Sequence, residues 1–316
     1  MIWAYLIHLG VHFWKKPGGD NTSAQLFKEL PTEDKAWREV VDYLATQGIN
    51  TLLIDLGEGV QYESHPELAT KGAWSKEKLK KELDRIRALG MTPIPKLNFA
   101  TIHNCWMGEY GSMSSTPIYY KVVKDLIDEA IELFDNPPYL HLGLDEEVYD
   151  PFLSFNVLQM QRPYGISICR ANKLFWEDVN YMAKCCLDKG VRPWMWGCCA
   201  WVLPEESVKN IPKDMLVSNW YYNRWANPPI MTDYNRAAME AYYVYARNGF
   251  DQVPTGSTIT NSMNLDETFA HLKDQPNIKG FMTAPWFRTR EIDILKHKAE
   301  AKIFNIAKNK YYPNEK

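Results

Sequence analysis

The stretch YLHLGLDEEVYD, residues 139–150, opens as an alternation of apolar and polar residues and closes in three consecutive acids, Asp145, Glu146 and Glu147. Alternation of period two marks a half-buried strand. Such a strand delivers its terminal carboxylates to one end of a sheet, so the fold turns on how often the chain repeats the pattern. The repetition runs throughout. WAYLIHL (3–9), NTLLIDL (50–56) and TPIPKLN (92–98) precede the stretch; RPWMWG (192–197), MLVSNWY (215–221), FDQVPT (250–255) and IKGFMTA (278–284) follow it.

Segments of helical period separate these runs. TEDKAWREVVDYLATQG, SKEKLKKELDRIRALG, YYKVVKDLIDEAIELF and ANKLFWEDVNYMAKCCLDKG come first. DYNRAAMEAYYVYARNG, LDETFAHLKDQ and EIDILKHKAEAKIFNIAKN come later, and only the segment near PEESVKNI is short. Gly48, Gly90, Gly190 and Gly249 each stand between a helix and the next strand, where a left-handed C-cap is expected. Thr32 and Ser75 read as N-caps, with Glu33 and Asp34 complementing the positive end of the first helix.

Eight strand–helix units in 316 residues predict an α/β fold, a (β/α)8 TIM barrel forming a single domain over residues 1–316. The competing doubly wound sheet calls for G-x-G-x-x-G after its first strand, and GVHFWKKPGGDNTS (10–23) lacks it. Loop lengths agree with the barrel. The links after the first four strands are long, spanning residues 10–31, 57–74, 99–116 and 145–167, whereas helix-to-strand links run to a few residues. Elaborating the carboxyl-end face alone is what barrel enzymes do.

Composition narrows the function classes. A net charge of −3 with no run of Lys and Arg gives no electrostatic case for nucleic acid or an anionic membrane. The longest basic cluster, SKEKLKKELDR (75–85), is interleaved with acids and reads as a solvated helix face. The six cysteines, Cys105, Cys169 and the adjacent pairs Cys185–Cys186 and Cys198–Cys199, show no zinc-site spacing and read as buried thiols. Neither a metal nor another cofactor is expected. MIWAYLIHLGVHFWKK (1–16) is apolar first and basic afterwards, the reverse of a secretion signal, and nothing is long enough to span a bilayer. A leader removed ahead of the first strand would mean a periplasmic or secreted protein; otherwise the compartment is the cytoplasm. Aromatic residues are the one excess, with 12 Trp, 18 Tyr and 12 Phe. Several Trp fall where strands end, and sugar faces stack on such rings.

The chemistry gathers at the end of the fourth strand. Two neighbouring carboxylates, Asp145 and Glu146, raise each other's pKa, so that one stays protonated as an acid while the other stays ionised. That division suits glycoside cleavage, which needs a protonated leaving oxygen and stabilised positive charge at the sugar carbon. An acidic helix N-terminus is the plainer alternative, and Glu147 is expected to have that modest role.

HLGLDEE (141–147) resembles the H-x-G-G-D-E signature of the family 20 β-N-acetylhexosaminidases, with His141 first and Leu144 in place of the second glycine. The similarity extends to NTLLIDLGEGVQYESHPEL (50–68) and GAWSKEKLKKELDRIRALGMTPIPKLNF (72–99), and to the Trp segments WMWGCCAW (194–201) and IKGFMTAPW (278–286). The resemblance implies a barrel that removes terminal N-acetylhexosamines with retention, the substrate's own acetamide acting as nucleophile. It puts the acetamide-orienting role on Asp145 and the proton-donating role on Glu146. It matches Trp196 and Trp286 to the walls of the sugar pocket, adds Trp220 as a further wall, and makes His103 and Glu58 a carboxylate–imidazole pair tuning Glu146. FDQVPT and the residues after it offer no Glu placed as a protein nucleophile, which a substrate-supplied one would explain.

The departures are equally specific. Val11 or His12 stands where the family has its strand 1 Arg, the strand 7 Tyr-x-Asp is absent from PTGSTITNS (254–262), and Arg288 replaces an acid two residues after Trp286. Tyr221 or Tyr222 is the candidate to reach in from the sixth strand instead. The expected partner is a carbohydrate, a glycan or amino-sugar glycoside, with the specificity rewritten. Two alternatives stand beside this reading. One is a non-catalytic carbohydrate-binding barrel; the other is a metal-dependent hydrolase built from His8, His12, His103, His141 and Asp145.

Overall fold

In the computed structural model, residues 1–11, 28–147, 170, 172–225 and 233–315 are described. His12, Cys169 and most of the long link after the fourth strand lie outside these residues. Strands and helices alternate through the rest. β1 (Ile2–His8), α1 (Asp34–Thr46), β2 (Thr51–Asp55), α2 (Lys76–Ala88), β3 (Thr92–Lys96), α3 (Pro117–Leu133), β4 (Tyr139–His141) and α4 (Asn172–Leu187) form the first half. β5 (Arg192–Trp196), α5 (Pro204–Asn210), β6 (Leu216–Ser218), α6 (Asp233–Arg247), β7 (Thr255–Gly256), α7 (Asn264–Leu272), β8 (Gly280–Thr283) and α8 (Ile294–Tyr311) form the second.

The eight strands are parallel, in the order β6-β5-β4-β3-β2-β1-β8-β7. Bridges from Val217 to Gln252 and from Trp220 to Thr255 join the two outer strands and close the ring. This is the (β/α)8 barrel expected from the sequence, its strands buried on both faces as parallel strands are. Helix boundaries follow the chemistry of the ends. Ser75 Oγ accepts from the Lys78 amide at 3.2 Å and caps α2. Thr32 does not cap α1: its hydroxyl donates to Leu9 O at 2.9 Å, and Glu33 holds the N-cap position without a side-chain bond. Gly48, Gly90, Gly190 and Gly249 all adopt the left-handed conformation expected of them, with φ between 69° and 82°.

Strand register sets up one unusual layer. Pairing places His8 beside Asp55, Asp55 beside Lys96, Lys96 beside His141, and His141 beside Trp194. All five are buried. Lys96 Nζ donates to Asp55 Oδ2 at 2.6 Å, and His8 Nδ1 lies 3.4 Å from the same oxygen. Burial alone would push the Asp55 carboxyl up, yet the Lys96 ammonium and the His8 ring hold it below the usual carboxylate range. The layer lies just under the carboxyl-end mouth, with the His8 ring 5.5 Å from that of Trp286.

Candidate functional site

β4 stops at His141, three residues before the end expected from the alternation. The cause is conformational. Gly143, Leu144 and Glu146 have φ of 71°, 67° and 56°, so the chain turns out of the sheet through left-handed positions. Gly143 has no substitute, since a Cβ there would sit 2.1 Å from Asn98 Oδ1. For Leu144 and Glu146 the same region costs roughly 1–2 kcal/mol each, which the surroundings must offset.

The turn lifts both acids into a cavity of about 410 Å3 at the carboxyl ends of the strands. Asn98 and His103 after β3, with Asp145 and Glu146 after β4, make its polar end. Trp220 and Tyr222 after β6, Ile259 and Thr260 after β7, and Trp286 after β8 make the other walls. The volume lies within the range of small-molecule sites.

One imidazole nitrogen serves both acids. His103 Nε2 is 3.1 Å from Glu146 Oε2 and 3.4 Å from Asp145 Oδ2. The other Asp145 oxygen, Oδ1, accepts from Asn98 Nδ2 at 2.9 Å. Asn98 is held in that orientation because its own Oδ1 accepts the Ala100 amide at 3.1 Å. Burial pushes the Asp145 carboxyl up, against the pull of His103 and with the push of Glu146. Burial would lower His103, but the Asp145 and Glu146 carboxylates outweigh it and raise the imidazole above its ordinary value.

The aromatic walls interlock. Trp220 and Tyr222 stack with centroids 5.0 Å apart, and Trp286 Nε1 donates to Tyr222 OH at 3.0 Å. The Tyr222 phenol stays protonated, since burial pushes its pKa well above the ordinary value. Having accepted from Trp286, its hydroxyl keeps one hydrogen to donate. Trp286 itself has φ of 57°, a strained conformation for a bulky residue of the kind found at functional sites.

Of the residues singled out in the sequence, Asp145, Glu146, His103, Trp220, Tyr222 and Trp286 meet around this cavity. Four others do not line it. Tyr221 follows the alternation to the opposite side, where its hydroxyl donates to Arg224 O at 3.2 Å. Glu58 Oε1 accepts the Val11 amide at 2.7 Å, and the His103 ring bonds Glu146 itself, so the expected Glu58–His103 pair gives way to a direct one. His141 Nδ1 accepts the Gly143 amide at 3.0 Å, which makes it a brace for the turn. Trp196 is buried below the cavity, its ring 6.1 Å from Trp286 and 4.7 Å from His141.

Glu147 makes contacts that its expected role did not include, and the residues that would follow it in a helix lie outside the described residues. It is buried, accepts the Thr101 amide at 2.8 Å and forms a two-nitrogen ion pair with Arg170, which in turn bonds Asp178 at 2.6 Å. The histidines of the metal-hydrolase alternative are dispersed, with His8 against Asp55, His141 against Gly143, and His12 outside the described residues. Among the described residues, His103, Asp145 and Glu146 are the group whose donor atoms approach ligand spacing, within 4.8 Å of one another. Asn98, Ile259 and Thr260 were missed. Asn98 ends the third strand run and was open to the same strand-end argument; Ile259 and Thr260 carry no local signal.

No family model matches the chain, and no curated protein matches it by sequence. Solved structures do match. A β-N-acetylhexosaminidase from Bacteroides fragilis superposes with a TM-score of 0.65 at 14% identity, covering 96% of this chain and 64% of that one. An exo β-N-acetylglucosaminidase of family 20 from Vibrio harveyi, solved with N-acetylglucosamine, gives 0.60 at 15% identity, covering 99% and 57%. Dispersin B gives 0.58 at 13% identity, covering 87% and 95%. The chain thus spans about three fifths of the length of the first two. At this level of identity the likeness is one of fold: the chain is built on a (β/α)8 barrel like that of the family 20 β-N-acetylhexosaminidases.

Proposed function

We propose that this barrel is a glycoside hydrolase acting on an N-acetylated amino sugar, with Glu146 as acid and Asp145 as its partner. The observation that carries the reading is the junction of two consecutive carboxylates with one imidazole, at the polar end of a cavity walled by Trp220, Tyr222 and Trp286. In the reaction, Glu146 gives its proton to the glycosidic oxygen as the C–O bond breaks. The acetamide oxygen of the sugar bonds to the anomeric carbon, and Asp145 holds the acetamide N–H and offsets the positive charge that develops. Water then attacks the same carbon, breaking its bond to the acetamide oxygen and giving a proton to Glu146, which restores the anomeric configuration and the free acetamide. Tyr222 donates its free hydroxyl hydrogen to the acetamide oxygen, taking the place of the absent Tyr-x-Asp. Trp286 and Trp220 offer apolar faces to the ring.

A second reading, a barrel that binds glycans without cleaving them, is favoured by Val11, a buried apolar residue near where the family has its sugar-gripping Arg. One experiment separates the two. The full chain and Glu146→Gln are assayed on a chromogenic N-acetyl-β-glucosaminide and titrated with N-acetylglucosamine by calorimetry. Hydrolysis requires turnover in the parent protein and a loss of about 10²–10⁴-fold in the variant, with binding retained. Turnover that survives the substitution ends the reading; binding without product from any bound glycoside selects the second.

A further inference from the structure

The adjacent thiols Cys198 and Cys199 carry no role in the proposed reaction, yet one of them touches the acid. Cys198 Sγ accepts the backbone N–H of Glu146 at 3.2 Å. Glu146 needs such a hold, because its left-handed φ of 56° is not a conformation it would keep unaided. We propose that Cys198 is a positioning residue that fixes the backbone of Glu146 and thereby aims its carboxyl at the leaving oxygen. This rests on the reading of Glu146 as the acid.

The backbone that carries the sulfur is itself closely held. Cys198 opens the turn Cys198–Trp201 after β5, and Gly197 before it fits a space with no room for a side chain. A Cβ on Gly197 would lie 2.7 Å from Val217 Cγ1 and 2.9 Å from Tyr245 Cε2. The Gly197 amide donates to Ser218 O at 2.8 Å, and its carbonyl accepts from Tyr245 OH at 2.9 Å. The Trp196 amide donates to Gly143 O at 3.0 Å, tying the end of β5 to the turn that carries the acids. The β5 end, the sulfur and the acid-bearing turn therefore form one braced unit.

The thiol suits this position for an electrostatic reason. Cys198 is 6% exposed and lies beside two carboxylates. Burial pushes its pKa well up, and Asp145 pushes it further, so the sulfur remains a neutral S–H. It can accept an amide hydrogen without adding a third negative charge. A raised pKa also makes it a poor nucleophile, which separates a positioning role from a reactive one.

The test compares Cys198→Ala and Cys198→Ser with the parent protein for kcat, KM, N-acetylglucosamine affinity, melting temperature and the Glu146 carboxyl titration, followed by carbon-13 NMR. With Ala, kcat falls about 10-fold or more while affinity holds, as a misplaced acid predicts. Ser, whose oxygen also accepts, recovers most of that loss. The Glu146 titration midpoint moves in the Ala variant and returns toward the parent value in the Ser variant. Unchanged kcat and an unmoved titration in Cys198→Ala overturn the proposal. So does a pattern in which Ser fails as fully as Ala while both lose melting temperature and affinity together, because that is a packing defect. If the parent protein hydrolyses nothing, the hydrolase reading falls, and the Glu146 titration still decides whether Cys198 governs that residue.

Discussion

His103 presents one nitrogen to two acids, and the charge balance of the cluster depends on it. Its imidazole is raised by Asp145 and Glu146, and the Asp145 carboxyl is raised chiefly by burial. Both groups therefore keep protons in the folded protein at pH values where the unfolded chain has released them. For His103 the stabilisation is complete below the unfolded value, about 6.5, and is lost as pH rises through the higher folded value. For Asp145 the same sign applies from about 3.9 upward, because its ionised form is the one that burial disfavours. Melting temperature is thus expected to fall as pH rises across the window above 6.5, and His103→Gln is expected to flatten that fall. A parent protein whose stability in this window rises with pH would contradict the assignment. At this scale the sequence was legible where position on a strand decides the outcome. Asp145 and Glu146 follow a strand end, and so does Trp286. Tyr221 and Tyr222 were indistinguishable until the register showed which of the two faces the cavity.

At the level of the element, the turn after β4 is the critical piece. It contains three left-handed residues, one of them a glycine packed onto Asn98, and a buried ion pair anchors its end. Glu147, Arg170 and Asp178 are buried together, so removing the cation strands two anions. Arg170→Met is expected to lower stability by about 3–5 kcal/mol, measured by urea unfolding. A change under 1 kcal/mol would mean that the pair is not buried as described. Gly143→Ala is expected to be harmful in a different way. It places a Cβ 2.1 Å from Asn98 Oδ1 and pulls away the group that orients Asp145. Turnover should fall with it even in whatever fraction remains folded, as single-turnover kinetics on the purified variant would show. The helix ends were legible from Gly48, Gly90, Gly190 and Gly249, because a tight helix-to-strand turn needs a left-handed residue there. The end of β4 was not. A Leu and a Glu in left-handed conformations go against local preference, and only neighbours distant in sequence impose them.

Across the whole molecule, the barrel carries an ionic layer where hydrophobic residues usually predominate. Lys96 and Asp55 face each other in it with His8 and His141 on either side. Lys96→Met alone leaves the buried Asp55 carboxylate with the His8 ring but without its ammonium partner and is expected to cost about 3–5 kcal/mol. The double variant Lys96→Met with Asp55→Leu is expected to recover much of that loss, because the desolvation of both charges disappears together. Chemical denaturation of the single and double variants checks the coupling; additive losses would show that the two side chains do not act as a pair. By itself, the sequence determined the order of strands and helices, the barrel, the face that carries the long loops and the pair of acids at its mouth. These follow from hydrophobic period and from strand ends, which are properties of neighbours along the chain. Only the tertiary structure decided that His103 meets both acids directly and without Glu58, that Trp196 lies outside the cavity lining while Tyr222 enters it, that Glu147 is a buried anchor, and that a cysteine thiol accepts the Glu146 amide. Those contacts join residues tens to hundreds of positions apart, and their distances are set by barrel closure and register, which no local stretch of sequence encodes.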